Sequence, residues 1–241
     1  GSVTGGISVP LPNPQKLTST MYASLGTAAA NTWVTSTDGI TWTAGTLPTV
    51  PATVPTKRII GSGQWNNLPI LSAFKRKLWF PSNSYTVGTN DPPIISYDGT
   101  TEYTVSTIPK SPIDGDEASW VTCMALHDGE AYIAVNDPGG VTPNQRGRVF
   151  RLETTTGTLT QIGQAFSSNT GDIAGGFPIA MASFMGQLFV SLGATDNATT
   201  GKIYRIRPSI ETAWTADSTT IVDWGFSMAV FQGNLYIGCM D

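Results

Sequence analysis

Met181-Ala-Ser-Phe-Met-Gly-Gln-Leu-Phe-Val190 reads as a β-hairpin: an apolar run, a turn pair ending in Gly186, and a second apolar run. The same ten-residue pattern recurs three times. Its copies are Leu71-Ser-Ala-Phe-Lys-Arg-Lys-Leu-Trp-Phe80, Met124-Ala-Leu-His-Asp-Gly-Glu-Ala-Tyr-Ile133 and Met228-Ala-Val-Phe-Gln-Gly-Asn-Leu-Tyr-Ile237. Gly129, Gly186 and Gly233 share one column, where the first copy has Arg76. The column Leu78, Ala131, Leu188, Leu235 is spaced by 53, 57 and 47 residues. Repeats of this length are the mark of a ring or stack of similar small sheets.

The sequence downstream of each hairpin completes the unit. Pro93-Ile-Ile-Ser-Tyr97, Arg148-Val-Phe-Arg-Leu152 and Lys202-Ile-Tyr-Arg-Ile206 alternate, so each reads as a third strand with one buried and one wet face. Glu102-Tyr-Thr-Val105, Leu159-Thr-Gln-Ile162 and a segment near Trp214 read as fourth strands. Four strands in about 50 residues is the arithmetic of a propeller blade. Upstream, Met21-Tyr-Ala-Ser-Leu25, Thr32-Trp-Val-Thr35 and Ile40-Thr-Trp-Thr43 fit the second, third and fourth strands of another unit, whose first strand would fall around Pro14 to Leu17. The expected fold is therefore all-β, one β-propeller domain over residues 1–241 with five four-stranded blades. Ring closure falls to the N-terminal strand, with Gly6-Ile-Ser-Val-Pro10 adding an outer strand to the last blade. The alternative is a larger propeller truncated after Cys239-Met-Asp241.

Composition sets limits on function. Of 241 residues, 12% are charged and 40% hydrophobic, which is too apolar for a disordered chain. With 26 Gly and 16 Pro it is a poor helical bundle. A net charge of −4 argues against a nucleic-acid binder, and no apolar run is long enough for membrane insertion by a helix. Gly1-Ser2 stands outside the fold reasoning. Cys123 and Cys239 lie in apolar runs and read as small buried hydrophobes.

Two motifs carry resemblances. Ser36-Thr-Asp-Gly-Ile-Thr-Trp42 resembles the Asp-box of sialidase-type propellers, one residue short, and Tyr97-Asp-Gly-Thr100 is a weaker echo. The resemblance implies a structural turn, with the Trp packed between blades. The Phe231-Gln-Gly-Asn-Leu-Tyr236 type of hairpin is similar to kelch-like repeats, without their double glycine. The low charge and the richness in Thr, Gly and Asn resemble bacteriophage tail, fibre and capsid-decorating proteins, which implies a virion location or else an extracellular one.

Candidate chemistry is sparse. Glycoside hydrolysis needs two carboxyls about 5–10 Å apart, as five-bladed propeller hydrolases provide at their central cavity. The glutamates are Glu102, Glu117, Glu130, Glu153 and Glu211. Of these, only Glu117, with Asp114 and Asp116, precedes an innermost strand and so could rim a central channel. Arg148, Arg151, Arg205 and Arg207 read as solvated faces of outer strands, not as a sialidase arginine triad. His127, the single histidine, shares a column with Phe74, Phe184 and Phe231 and reads as an aromatic-sized filler, not a base. No catalytic residue, metal site or cofactor is expected; Asp137-Pro-Gly-Gly140 and Asp196-Asn-Ala-Thr-Thr200 lack calcium-loop spacing. The stretches 83–92, 136–147 and 193–201, between second and third strands, form the expected binding face: Tyr85, Asn90, Asp91, Asp137, Asn144, Asp196 and Asn197. Trp42, Trp79 and Trp214 read as core by their strand positions.

The expected function is a non-enzymatic structural or host-contact module of a bacteriophage virion. Its partners would be other virion proteins or a host surface receptor or glycan. The alternatives are a secreted, lectin-like glycan-binding propeller and a propeller glycoside hydrolase.

Overall fold

The computed structural model describes residues 21–27, 30–46, 72–74, 77–81, 93–97, 102–108, 120–137, 146–166, 173, 176–193, 201–221 and 225–239. All regular structure among them is β-strand, and every strand pairing is antiparallel. The chain divides into two compact units, Gly1–Ile108 and Pro109–Asp241.

Among the described residues the first unit holds two sheets. One has order β1(Met21–Thr27), β2(Ala30–Ser36), β3(Thr43–Thr46). The other runs β4(Ser72–Phe74), β5(Lys77–Pro81), β6(Pro93–Tyr97), β7(Glu102–Thr107). Ile94 and Ile108 are fully buried.

Among the same residues the second unit holds three. They are β8(Trp120–His127), β9(Glu130–Asp137), β10(Arg146–Leu152), β11(Leu159–Gln161); then β12(Phe177–Phe184), β13(Gln187–Gly193), β14(Gly201–Ile206), β15(Thr215–Ile221); then the hairpin β16(Gly225–Phe231), β17(Asn234–Cys239). Within every sheet, spatial order follows chain order.

The repeat columns are realised as one register. Ala73 faces Leu78, Leu126 faces Ala131, Ser183 faces Leu188 and Val230 faces Leu235. The turns of the last three hairpins have left-handed backbone at both central residues: Asp128 and Gly129, Met185 and Gly186, Gln232 and Gly233. That is the two-residue turn whose twist matches the strands it joins, and it explains the glycine column.

In the second unit the sheets pack through their first two strands, β8 on β12 and β12 on β16. One core cluster spans the first pair, with Ala125, Tyr132 and Ala134 on one side and Met181, Leu188 and Val190 on the other. Phe166 sits in it at ring distances of 5.6 Å from Tyr204 and 5.5 Å from Trp214. A second cluster joins Ala180, Phe189 and Ile203 to Met228, Leu235 and Ile237. Each fully buried side chain of this size stabilises the fold by about 1.5–3 kcal/mol relative to exposure.

Several expectations need correction. Arg148 is not on a solvated face but buried, 5.0 Å from the Phe150 ring centroid. Residues 147–150 are all buried, so this strand has no wet face there; Pro178 of the next sheet lies on the Gly147 side. Arg151 and Arg207 are exposed, as expected. Cys123 is partly buried, and burial pushes its thiol up to about 12; Cys239 is exposed because it ends β17 at a sheet edge. Trp214 is core, whereas Trp42 is 43% exposed, since β3 begins only after it, at Thr43. The side chain of Trp79, the segment 14–17 and the stretch 98–100 lie outside the described residues.

The Asp-box-like turn forms between β2 and β3. Asp38 Oδ1 accepts from Ile40 N (2.8 Å), Thr41 N (2.7 Å) and the Ser36 hydroxyl (2.9 Å), and Gly39 takes a φ of +78°. These donors, led by the Thr41 amide, lower the Asp38 carboxyl to about 2. A depressed folded pKa stabilises the fold above the unfolded value, and the contribution fades as pH falls through the folded one. Asp38→Asn is therefore expected to lower Tm at pH 7, with the gap to wild type closing from about pH 4 down to about pH 2. Thermal melts of both chains across that window check it.

Candidate functional site

Two hydrogen bonds across sheet seams fix which strand ends lie together. His127, the last residue of β8, meets Ser183 near the end of β12, Nδ1 to Oγ 2.8 Å. Ser191, near the end of β13, donates through its hydroxyl to the Gly225 carbonyl at the start of β16, 2.6 Å. The strand β13 ends where β12 begins, because the two pair antiparallel from Phe177 and Gly193. So β8, β12 and β16 all begin at one end of the unit, and the glycine turns lie at the other.

The hairpin end is occupied by structural polar contacts. His127 is 3% exposed, with Nε2 3.4 Å from Asp128 Oδ2 and Nδ1 2.8 Å from the Ser183 hydroxyl. The Tyr132 hydroxyl donates to Glu130 (3.2 Å), which Arg151 approaches to 3.6 Å. Burial, with Glu130 beside it, pushes the Tyr132 phenol up to about 12. Glu211 takes Arg207 N, Nε and a terminal guanidinium nitrogen at 2.8, 2.9 and 2.7 Å, and these bonds hold its carboxyl below the usual range. Each of these acids is committed to a turn or a cation. Among the described residues of this end, Glu130 and Glu211 each have a cation beside the carboxyl.

The opposite end is where the sequence placed its candidates. Asp137 is the last residue of β9, in register with Arg146. Asn144 follows in the stretch 138–145, and Asp196 and Asn197 in 194–200, which leave from Asp137 and Gly193 at this end; all three lie outside the described residues. Asp114, Asp116 and Glu117, also outside them, directly precede Trp120, the first residue of β8. Tyr85, Asn90 and Asp91 belong to the first unit, between β5 and β6, and lie outside the described residues.

The sequence reading missed two acids in equivalent positions. Asp172 precedes β12, next to Ile173, whose amide bonds the Ala165 carbonyl; Asp223 precedes Gly225 of β16. The leading aromatics Trp120, Phe177 and Trp224 mark that column in the sequence, and an acid lies within five residues upstream of each. Among the described residues no group of three or more His, Cys, Asp or Glu is placed to hold a metal, and no helix is long and apolar enough to cross a membrane.

Sheets stacked through their first strands, with chain order kept inside each sheet, define a β-propeller arrangement. Solved structures agree. The chain is similar to an endo-arabinase from Bacteroides thetaiotaomicron, with 13% identity and a TM-score of 0.53 over 91% of this chain and 84% of that one. It is similar to an exo-β-1,3-galactanase from Phanerochaete chrysosporium bound to galactose, with 14% identity and a TM-score of 0.56 over 91% of this chain and 53% of that one. A thermostable family-43 glycoside hydrolase matches with 12% identity and a TM-score of 0.52, over 85% and 70%. The chain thus spans about half the length of the galactanase. No family model and no curated protein matches the sequence.

At these identities the likeness shows the β-propeller fold. It corrects the reading as a non-enzymatic bacteriophage module, because the solved structures just described are glycoside hydrolases. The expectation of no enzyme is overturned on the same ground, and nothing supports a kelch repeat. Low charge and abundant Gly, Thr and Asn follow from many short strands and tight turns in any propeller, so they did not mark a virion.

Proposed function

We propose that this chain is a propeller glycoside hydrolase acting on a polysaccharide such as arabinan or β-1,3-galactan. The observation that carries this is the likeness over about nine-tenths of the chain to an arabinase, a galactanase and a family-43 hydrolase. The chemistry draws on the carboxyls upstream of the first strands: Asp114, Asp116 and Glu117 before β8, Asp172 before β12 and Asp223 before β16. One, kept protonated, gives its proton to the glycosidic oxygen; another, ionised, activates water or attacks the anomeric carbon. Asp137, Asn144, Asp196 and Asn197, at the same end, are proposed to hydrogen-bond sugar hydroxyls around that centre. Tyr85, Asn90 and Asp91 of the first unit are proposed for sugar contacts as well.

In the same reading the sheets are blades of one five-bladed domain spanning 1–241, closed into a ring by the N-terminal strand, and the protein works outside the cell on its polymer. Reducing-end release from linear arabinan, β-1,3-galactan and xylan tests the function. Release from at least one polymer is expected. No release from any of them, by chain shown to be folded from its thermal melt, counts against the proposal.

A further inference from the structure

The turn between β2 and β3 of the first unit fixes its own backbone. Ser36 is buried, and its hydroxyl accepts from Gly39 N at 2.8 Å while donating to Asp38 Oδ1 at 2.9 Å. Asp38 Oδ1 also takes Ile40 N and Thr41 N. Three successive amides are therefore held by two side chains of the turn itself. What this backbone carries outward is apolar: Ile40 is 85% exposed and Trp42 43% exposed. In the Asp-box that the motif resembles, the Trp is packed away, so Trp42 is not spent on that structural role. A single exposed apolar side chain is ordinary on any surface. Two within three residues, on a backbone already fixed, form an apolar patch that calls for a partner.

We infer that this turn is an auxiliary contact for a neutral polysaccharide, with the apolar face of a sugar ring laid on the Trp42 indole and on Ile40. Charge selects this occupant. Asp38 is the one charged residue between Met21 and Thr46, and its carboxylate is already taken up by three donors. No Lys or Arg in that stretch draws a nucleic-acid backbone or an anionic lipid surface. An uncharged polymer, whose rings have apolar faces and hydroxyl edges, matches a flat indole flanked by the exposed Thr37 and Thr43. Because the turn is ordered before the ligand arrives, binding costs little further ordering. The ligand class rests on the hydrolase reading, but the contact uses none of the residues assigned to bond cleavage.

The test is electrophoresis of the full chain through native gels containing arabinan, β-1,3-galactan or xylan. Retardation by at least one polymer is expected. Trp42→Ala should weaken that binding by about tenfold and Ile40→Ser by roughly threefold, while Trp42→Phe, which keeps an aromatic face, should retain most of it. Ile40→Ser alters a side chain that is almost wholly exposed, so it decides the matter even where Trp42→Ala disturbs the turn. Retardation that is equal in wild type, Trp42→Ala and Ile40→Ser overturns the inference and leaves the hydrolase reading standing, because release of reducing ends tests that reading separately. A wild-type chain that no polymer retards overturns the inference as well. So does binding to phosphatidylcholine vesicles, but to no polymer, that is lost in Trp42→Ala, because the turn is then a lipid contact.

Discussion

Gly163→Ala is expected to cost about 2–5 kcal/mol, among the largest losses that one methyl group can cause in this chain. Two costs meet at this position. Gly163 has a φ of +62°, where an alanine is strained by about 1–2 kcal/mol. A Cβ there would also overlap the indole of Trp214, which is 6% exposed and set between Phe166 and the Gln164 side chain. The indole is buried. Its ring is 5.5 Å from Phe166, and its backbone amide bonds Gln164 Oε1 at 3.0 Å. Gly129 supplies the control. Its φ is +76°, but a Cβ there meets nothing within 4 Å, so Gly129→Ala pays the backbone strain alone. For a chain of this size Gly163→Ala should lower Tm by roughly 4–20 °C, and Gly129→Ala by roughly 2–8 °C. Equal shifts in a calorimetric comparison would mean that the Trp214 contact carries no weight.

The hairpin framework was legible because it depends on local rules alone. Alternation fixes which residues face each other, a left-handed turn favours glycine at its second position as in three of the copies, and all four copies kept the same register. The burial of Arg148 was not legible in the same way: Gly147, Arg148, Val149 and Phe150 are all buried, whereas alternation within residues 146–152 predicts one wet face. The common polarity of the sheets was equally hidden. It rests on His127 meeting Ser183 and Ser191 meeting Gly225, pairs 56 and 34 residues apart. His127 illustrates the trade. The column predicts an aromatic-sized residue, which it is, and the polar partner follows from burial, because an imidazole taken out of water must find one. Asp172 and Asp223 were not legible as candidates because nothing local says that β12 and β16 begin at the end where β13 finishes, which only the seams show. The function was misread at a different level. Composition follows the fold, and a fold hosts many functions, so composition gave no warrant for a virion.

Replacing the right carboxylates upstream of the first strands should abolish hydrolysis without loosening the fold. A positioned general acid or base contributes about 10²–10⁴ in rate, so Glu117→Gln or Asp116→Asn is expected to lower kcat by that factor. Neither change removes volume, and both residues precede β8, which starts at Trp120, so Tm should stay within about 1–2 °C of wild type. Asp223→Asn and Asp172→Asn test whether the second carboxyl comes from a neighbouring sheet, since two carboxyls about 5–10 Å apart have to converge on one bond. The loss should fall on kcat with KM nearly unchanged for the proton-handling pair, and on KM for Asp196→Asn or Asn144→Ala, which are assigned to sugar hydroxyls. The pH profile separates the roles further. Loss of the ionised group should remove the acid-side limb of the bell, and loss of the protonated group the alkaline-side limb. If all five amide or alanine replacements among Asp114, Asp116, Glu117, Asp172 and Asp223 keep wild-type turnover, the reaction is not housed at the end where β8, β12 and β16 begin.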